Sequence, residues 1–512
     1  MNSARRSGWS RREFLFAGTA AAITFPYILP AQKTRPARKY NVLFLMSDDC
    51  RVELGCYHSR FHARTPNLDA LAKSGVRFDR NYCQFPLCNP SRSSLLTARP
   101  PTRTGVLTNR AAFRDLHPDW ISLPQLFRQN GYVAVRAGKI FHGGIDDPKA
   151  WDVATPWTKA DEGGMESHDV GHTMDTTKIA ERTARDLRSP KLAGLAANTT
   201  PGRRKAYYSD RIVVLDGNGE GHGDYHTADR TIANLQQYRD QPFFIACGFV
   251  KPHSPPTAPQ TFFDLYDVKD IELPPDFAAW PTVPPGFPSA AIRPRNADLF
   301  IGRGASEAEA REVIRAYIAS ISWMDWNIGR VMAELDKLGL REKTIIIFLA
   351  DHGYQLGEKG KWSKAGSLFE MGTRVPMFMA VPGARGNGQS CYRIVQSLDI
   401  YRTLAELCGL PVPEGAAGAS LAPLLADPQA PWDQPAYSVW SEDGRTLHGT
   451  AVRTERWRYA EYGENGKNGA MLLDPKADPL ELKNLANDSQ YKSVCAELSV
   501  LTRKYAAALR QS

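Results

Sequence analysis

Three unbroken apolar runs constrain this chain more than any other feature. Asn41–Met46 (NVLFLM), Phe243–Val250 (FFIACGFV) and Thr344–Ala350 (TIIIFLA) leave no polar face to meet water. Strands covered on both sides read this way, and they belong to parallel sheets flanked by helices. Tyr132–Arg136 and Val375–Ala380 add two further strands. Helical segments fall between them. Pro66–Ser74 places Leu68 and Leu71 at helical spacing before Gly75, and Leu123–Gln129 is closed by Gly131. Residues 227–238 are helical, and Ser306 with Glu309 makes a capping box for the longest helix, lined by Val313, Tyr317, Ile321, Ile328, Val331 and Leu335. The alternation predicts an α/β fold with a large mixed, mostly parallel sheet and helices on both faces.

From residue 433 the texture changes. Ala451–Thr454, Trp457–Glu461 and Met471–Leu473 read as short strands and Tyr491–Leu509 as an amphipathic helix, a small antiparallel sheet plus helix. Residues 150–225 are irregular, with GRRK at 202–205, and are expected to form a long surface insertion that shapes a substrate pocket. The expected division is residues 1–31 a leader, 32–39 a linker, 40–432 a catalytic domain and 433–512 a small subdomain.

The net charge of +9 suggests a polyanion binder until it is located. Residues 1–39 hold eight Lys and Arg against one acid, Glu13, so seven of those charges sit there and nucleic-acid binding loses its support. Ser10-Arg11-Arg12-Glu13-Phe14-Leu15 is a twin-arginine pattern, followed by a mild apolar run to Ile28 and a small-residue exit near Pro30-Ala31. That run is too short and weak for stable membrane insertion, although a chance Arg pair before a short anchor is the alternative. The leader predicts use of the twin-arginine export machinery and a periplasmic or secreted bacterial protein. The eight cysteines show no zinc spacing, and no disulfide is assigned.

The residues at the carboxyl ends of the strands are more informative. Asn41–Met46 runs into Ser47-Asp48-Asp49, Tyr132–Arg136 into Gly138-Lys139 and then His142, Phe243–Val250 into Lys251-Pro252-His253, and Thr344–Ala350 into Asp351-His352. Ligands of open α/β sheets bind outside the carboxyl ends of the strands, so these groups converge on one crevice. Asp48, Asp49 and Asp351 together need a cation between them, and oxygen donors favour Ca²⁺ or Mg²⁺ over zinc, with calcium preferred here. His352 adds a nitrogen ligand that would also suit a transition metal. Arg92, Lys139, His142, His253 and Lys364 supply positive charge for a compact oxyanion, sulfate or phosphate.

Cys88-Asn89-Pro90-Ser91-Arg92 is the most specific motif, a C-x-P-S-R pentapeptide of the kind read when Cys is oxidised to formylglycine. With it the chain resembles the type I, formylglycine-dependent sulfatases of the alkaline-phosphatase-like superfamily. NVLFLMSDDCR, TPNLDALAKSGVRF, GYVAVRAGKIFH, PFFIACGFVKPH, FLADHGYQLGEKGKWSKAGSLFE and LLDPKADPLELKNLA have family counterparts in the same order, and CYHSRFHARTPNLD and GKIFHGG look most like the iduronate-2-sulfatase branch. The resemblance implies that Asp48, Asp49, Asp351, His352 and the modified Cys88 bind one calcium. It implies that Arg92, Lys139 and His142 hold the formylglycine (3-oxoalanine) and the sulfate, with His253 and Lys364 facing the sulfate and the leaving oxygen. It further implies maturation by a formylglycine-generating enzyme and a sulfated saccharide substrate, a uronic acid 2-sulfate or related glycan, with which Lys251 could pair through a carboxylate. Ala98 stands where many members carry Gly, a departure that matters if that backbone needs positive φ. Two other readings stay open: a phosphonate or phosphodiester hydrolase of the same superfamily, and a non-catalytic periplasmic polyanion-binding protein using GRRK, Arg110 and Arg114.

Overall fold

The computed structural model describes residues 40–152, 183–186 and 209–508; the leader, the linker and the GRRK run lie outside the described residues. In chain order the strands are β1 (Asn41–Asp48), β2 (Val76–Tyr82), β3 (Val133–Gly138), β4 (Thr183–Asp186), β5 (Val213–Leu215), β6 (Phe243–Pro252), β7 (Thr257–Pro259), β8 (Thr344–Ala350), β9 (Arg374–Val375), β10 (Met377–Ala380), β11 (Ser390–Gln396), β12 (Ala436–Trp440), β13 (Gly449–Arg453), β14 (Arg458–Tyr462) and β15 (Ala470–Leu473). The helices that cover the sheets or carry the site are α1 (Pro66–Ser74), α2 (Cys88–Thr97), α3 (Leu123–Gln129), α4 (Gly223–Tyr238), α5 (Glu307–Lys337), α6 (Asp399–Leu407) and α7 (Lys492–Ala507).

The central sheet has the order β11-β2-β10-β8-β1-β6-β3, with β9 beside β2. β1 lies between two parallel neighbours, Val42 standing opposite both Phe244 of β6 and Ile345 of β8. Every residue of β1, β6 and β8 is buried, which is why their sequences are continuous apolar runs. Leu43 and Leu45 pack into a core with Ile314, Ile318 and Trp323 of α5, while Val42, Phe44 and Met46 face Leu95 of α2, Phe127 of α3 and Leu404 of α6. The sheet is mixed because β10 runs antiparallel to both β8 and β2.

Ser306 and Glu309 form the expected capping box of α5. α4 starts at Gly223, four residues before its expected start, because the His222 ring accepts the Asp224 N–H as an N-cap. Where it is described, the 150–225 segment is surface in part: residues 209–215 are buried, with β5 paired to β4 and β7 in a three-stranded sheet, while Asp216, Gly217, Asn218, Glu220 and Gly221 are exposed. The C-terminal strands form an antiparallel sheet, β12-β13-β14-β15. One face takes Leu498 of α7, and the other packs Ala451, Ala460 and Tyr462 against Phe85, Leu368 and Phe369, which flank β2 and β9. Glu370 ties that segment to the small sheet, 2.5 Å from Arg458 and 3.1 Å from Arg453. No helix among the described residues is long and apolar enough to cross a membrane.

Candidate active site

The carboxyl ends of β1, β3, β6 and β8 meet the start of α2. Asp49 leaves β1 with φ +61°, a left-handed turn that Asp tolerates. Tyr317 of α5 braces that turn by donating its hydroxyl to the Asp49 carbonyl at 2.6 Å. At the neighbouring strand end two glycines permit close approach. A Cβ on Gly248 would lie 1.9 Å from the Lys139 carbonyl oxygen, and one on Gly138 would lie 2.1 Å from the Gly248 carbonyl oxygen. Only bare backbone lets the paired ends of β3 and β6 approach this closely and deliver Lys139 to the site.

Ligand atoms of Asp48, Asp49, Cys88 and His352 all lie within 4.8 Å of one another, and all four residues are buried. Cys88 Sγ is 3.4 Å from Asp48 Oδ1 and 3.2 Å from His352 Nε2. His352 Nδ1–H donates to the Gly353 carbonyl at 3.1 Å, which leaves the Nε2 lone pair to face the cluster. Asp351 stands beside it: Oδ2 is 3.6 Å from His352 Nε2, and Oδ1 accepts the N–H groups of Asp49 and His352.

The cations surround these carboxylates. Arg92 donates Nε–H to Asp351 Oδ2 at 2.8 Å and Nη1–H to the carbonyls of Lys139 and Ile140, so it ties three segments together. Lys139 pairs with Asp48, and Lys364 Nζ lies 2.9 Å from Asp49 Oδ2 and 3.6 Å from Asp298 Oδ2. His253 Nε2 is 3.9 Å from the same Asp49 oxygen. His142 is buried three residues beyond Lys139, where its carbonyl closes a turn with the Ile145 N–H.

Burial alone would raise both β1 carboxyls. Lys139 and Arg92 outweigh it at Asp48, holding that carboxyl well below the usual range. At Asp49 burial prevails over Lys364, and Asp48, Asp298 and Asp351 push in the same direction, so its carboxyl rises well above the ordinary value. Among the described residues Asp49 Oδ1 accepts no hydrogen bond, with His352 Nδ1 3.3 Å away. The cluster is short of positive charge at that oxygen. Hard oxygen donors, one imidazole nitrogen and the side chain at position 88 fit a divalent cation.

Two cationic residues with expected ligand roles are engaged elsewhere. Lys251 is 1% exposed and donates Nζ to the carbonyls of His253 and Pro255, so it does not meet a substrate carboxylate. Arg114 is held by Asp147, Gln125 and two carbonyls and serves the fold, not a polyanion. Sequence reasoning missed Asp298, Ser91 and the structural part of Tyr317, which reads as one more apolar residue on α5. Ser91, inside the C-x-P-S-R motif, donates its hydroxyl to the Asp351 carbonyl at 2.5 Å.

Carboxylates, an imidazole and lysines gathered at the strand ends of a mostly parallel sheet make a cleft suited to the ester of a compact oxyanion. This chain belongs to the sulfatase family, whose family model matches residues 40–410. The model of the N-sulphoglucosamine sulphohydrolase C-terminal region matches residues 357–507. A sulfatase of Formosa agariphila is 30% identical over 92% of this chain and 88% of its own length. Human iduronate 2-sulfatase is 30% identical over 73% of this chain and 70% of its own. A solved protein in complex with its substrate D-glucosamine-2-N,6-O-disulfate superposes with a TM-score of 0.67 at 20% identity, covering 92% of this chain and 98% of that one.

Proposed function

We propose that the chain is a calcium-dependent sulfuric ester hydrolase acting on a sulfated saccharide, a uronic acid 2-sulfate or a related glycan, with residue 88 converted from Cys to formylglycine. The observation that carries this is the buried charge balance. Among the described residues, Asp48, Asp49, Asp298 and Asp351 form ion pairs with Arg92, Lys139 and Lys364. One divalent cation held by Asp48, Asp49, Asp351, His352 and residue 88 turns a deficit of one charge into a surplus of one. That surplus matches a monoanionic sulfate ester better than a dianionic phosphate monoester. Iduronate 2-sulfatases among the relatives support the choice of sugar.

The unmodified thiol is a poor nucleophile, since burial, helped by Asp48, pushes Cys88 well above its ordinary value. When bound, calcium would supply Lewis-acid polarisation, and formylglycine at position 88 would supply the hydrated-aldehyde nucleophile. This chain's residues do the rest. Lys139 and Arg92 offset charge on the sulfuryl oxygens while keeping Asp48 ionised. Burial would strip Lys364 of its proton, but Asp298 and Asp49 outweigh it and hold the ammonium charged. His253 is kept neutral by burial and then by Lys364, and its Nδ1–H is fixed on the Ser254 carbonyl at 2.7 Å. Its Nε2 is therefore the atom that exchanges a proton, and with Lys364 it serves the departing sugar oxygen. Maturation by a formylglycine-generating enzyme and export by the twin-arginine machinery to the periplasm or beyond complete the reading. Fractionation checks the last step: Arg11→Lys with Arg12→Lys keeps the protein in the cytosol.

The test of function is mass spectrometry of the tryptic peptide Asn81–Arg92, together with sulfate release from a 2-sulfated uronic acid disaccharide. We expect an aldehyde at position 88, and Cys88→Ala to remain folded with no turnover. An intact thiol alongside full sulfate release overturns the mechanism. Turnover of an aryl phosphonate but of no sulfate ester favours the phosphonate hydrolase.

A further inference from the structure

We infer that Lys251 is a positioning residue whose buried ammonium holds the turn that presents His253 to Asp49. The inference rests on the reading above only in giving His253 a role at the departing oxygen. Lys251 is 1% exposed, and an ammonium so placed is costly unless its donors are satisfied. Its Nζ donates to the His253 carbonyl at 3.0 Å and to the Pro255 carbonyl at 2.8 Å, so a single cation spans the turn on both sides of Ser254. Thr257 Oγ1 donates to the same Pro255 carbonyl at 2.8 Å. The backbone of Lys251 is pinned as well. Asp224 at the start of α4 accepts the N–H groups of Val250 and Lys251 at 2.9 and 2.8 Å, and Ser47 of β1 donates to the Lys251 carbonyl at 3.1 Å.

A second brace meets the turn from the far side. Ser209 Oγ donates to the Asp298 carbonyl at 2.6 Å and lies 3.0 Å from Ser254 Oγ. The His253 turn is thereby tied to the residue that pairs with Lys364. A methionine would fill the space of Lys251 without the desolvation cost, but it could not bond two carbonyls. The charge is what fixes the path of the chain, and with it the direction of the imidazole.

The experiment compares the wild type, Lys251→Met and Ser209→Ala as full-length converted enzyme. One arm reads the rate at which diethyl pyrocarbonate acylates His253, followed by peptide mass spectrometry. The other reads kcat and KM on 4-nitrophenyl sulfate, a good leaving group, and phenyl sulfate, a poor one. Lys251→Met is expected to acylate about fivefold faster and to lose about 10- to 100-fold in kcat on phenyl sulfate, with KM within about twofold and little loss on 4-nitrophenyl sulfate. Acylation at the wild-type rate, or equal kcat losses on both esters, overturns the inference. Should Lys251→Met fail to fold, Ser209→Ala, which removes one hydroxyl, decides alone: about twofold faster acylation supports the brace, and an unchanged rate overturns it. Wild-type enzyme that releases sulfate from neither ester and not from the 2-sulfated uronic acid disaccharide defeats the proposed function, whereas the acylation arm still decides the inference.

Discussion

Ala98 shows how a single residue can look wrong and still be tolerated. It caps α2 in the left-handed region with φ +51°, so the backbone does need the conformation that glycine prefers. Three terms then compete. Relief of left-handed strain favours glycine by about 1–2 kcal/mol, glycine's freedom in the unfolded chain takes back about 0.5–1, and losing a fully buried methyl costs about 0.8. They nearly cancel, and Ala98→Gly is expected to leave stability within about 0.5 kcal/mol by urea denaturation, whereas β-branched Ala98→Val loses about 2 kcal/mol or more. Legibility at this scale depends on chain position. Asp48, Asp49, Lys139, His253, Asp351 and His352 could be read because each lies just past an apolar strand. Asp298 could not, because its partner Lys364 is distant in sequence and nothing local marks it; Ser91 stands in the motif, but nothing there marks it as a partner of Asp351.

Elements differ in legibility for a physical reason. β1, β6 and β8 are covered on both faces and spell themselves out in apolar letters. β2 (VRFDRNY) and β11 (SCYRIVQ) lie toward one edge of the sheet, where polar residues interrupt the pattern, and neither carries a clear strand signal. Where the ends of β3 and β6 pair, Gly248→Ala would set a methyl into the Lys139 carbonyl. We expect it to cost about 3 kcal/mol and about 100-fold in kcat/KM, because the strand end that carries Lys139 must move. Wild-type activity in that variant would refute the close approach. A pH effect belongs to α6. Burial raises Asp399 to about 7 against the N–H groups of Gln396 and Ala419, which its two oxygens accept. The folded chain therefore holds this proton more tightly than the unfolded chain, whose carboxyl titrates near ~4. Its contribution to stability is complete below that value, is lost as pH rises toward 7, and is constant above. Measured from pH 5 to 8, the stability of Asp399→Asn relative to wild type is expected to improve up to about pH 7 and then level off.

Across the whole molecule, folding forces carboxylates together that would repel one another in isolation. Chelation is therefore expected to lower Tm and abolish sulfate release, and added calcium to restore both. Calcium at a hundredfold excess over Kd contributes about 2.7 kcal/mol to stability. A Tm unmoved by chelation would argue that Lys139, Lys364 and Arg92 suffice to hold the cluster. The small C-terminal antiparallel sheet was legible as a change of texture in the sequence, but the buried Glu370–Arg458 pair that ties it to the segment before β9 was not, since charged residues in a sequence usually signal surface.

All ten residues of α2, from Cys88 to Thr97, are buried in the folded chain. This turns a spatial fact into a temporal one. An enzyme that is to alter residue 88 must reach it while the segment is still a loose strand of nascent polypeptide, and the closing of the fold ends that opportunity for good. If residue 88 is converted as proposed, each molecule is finished or unfinished from the moment it folds. A cell that synthesises the chain faster than it can process it will accumulate a permanent mixture of the two, identical in shape and different in a single side chain.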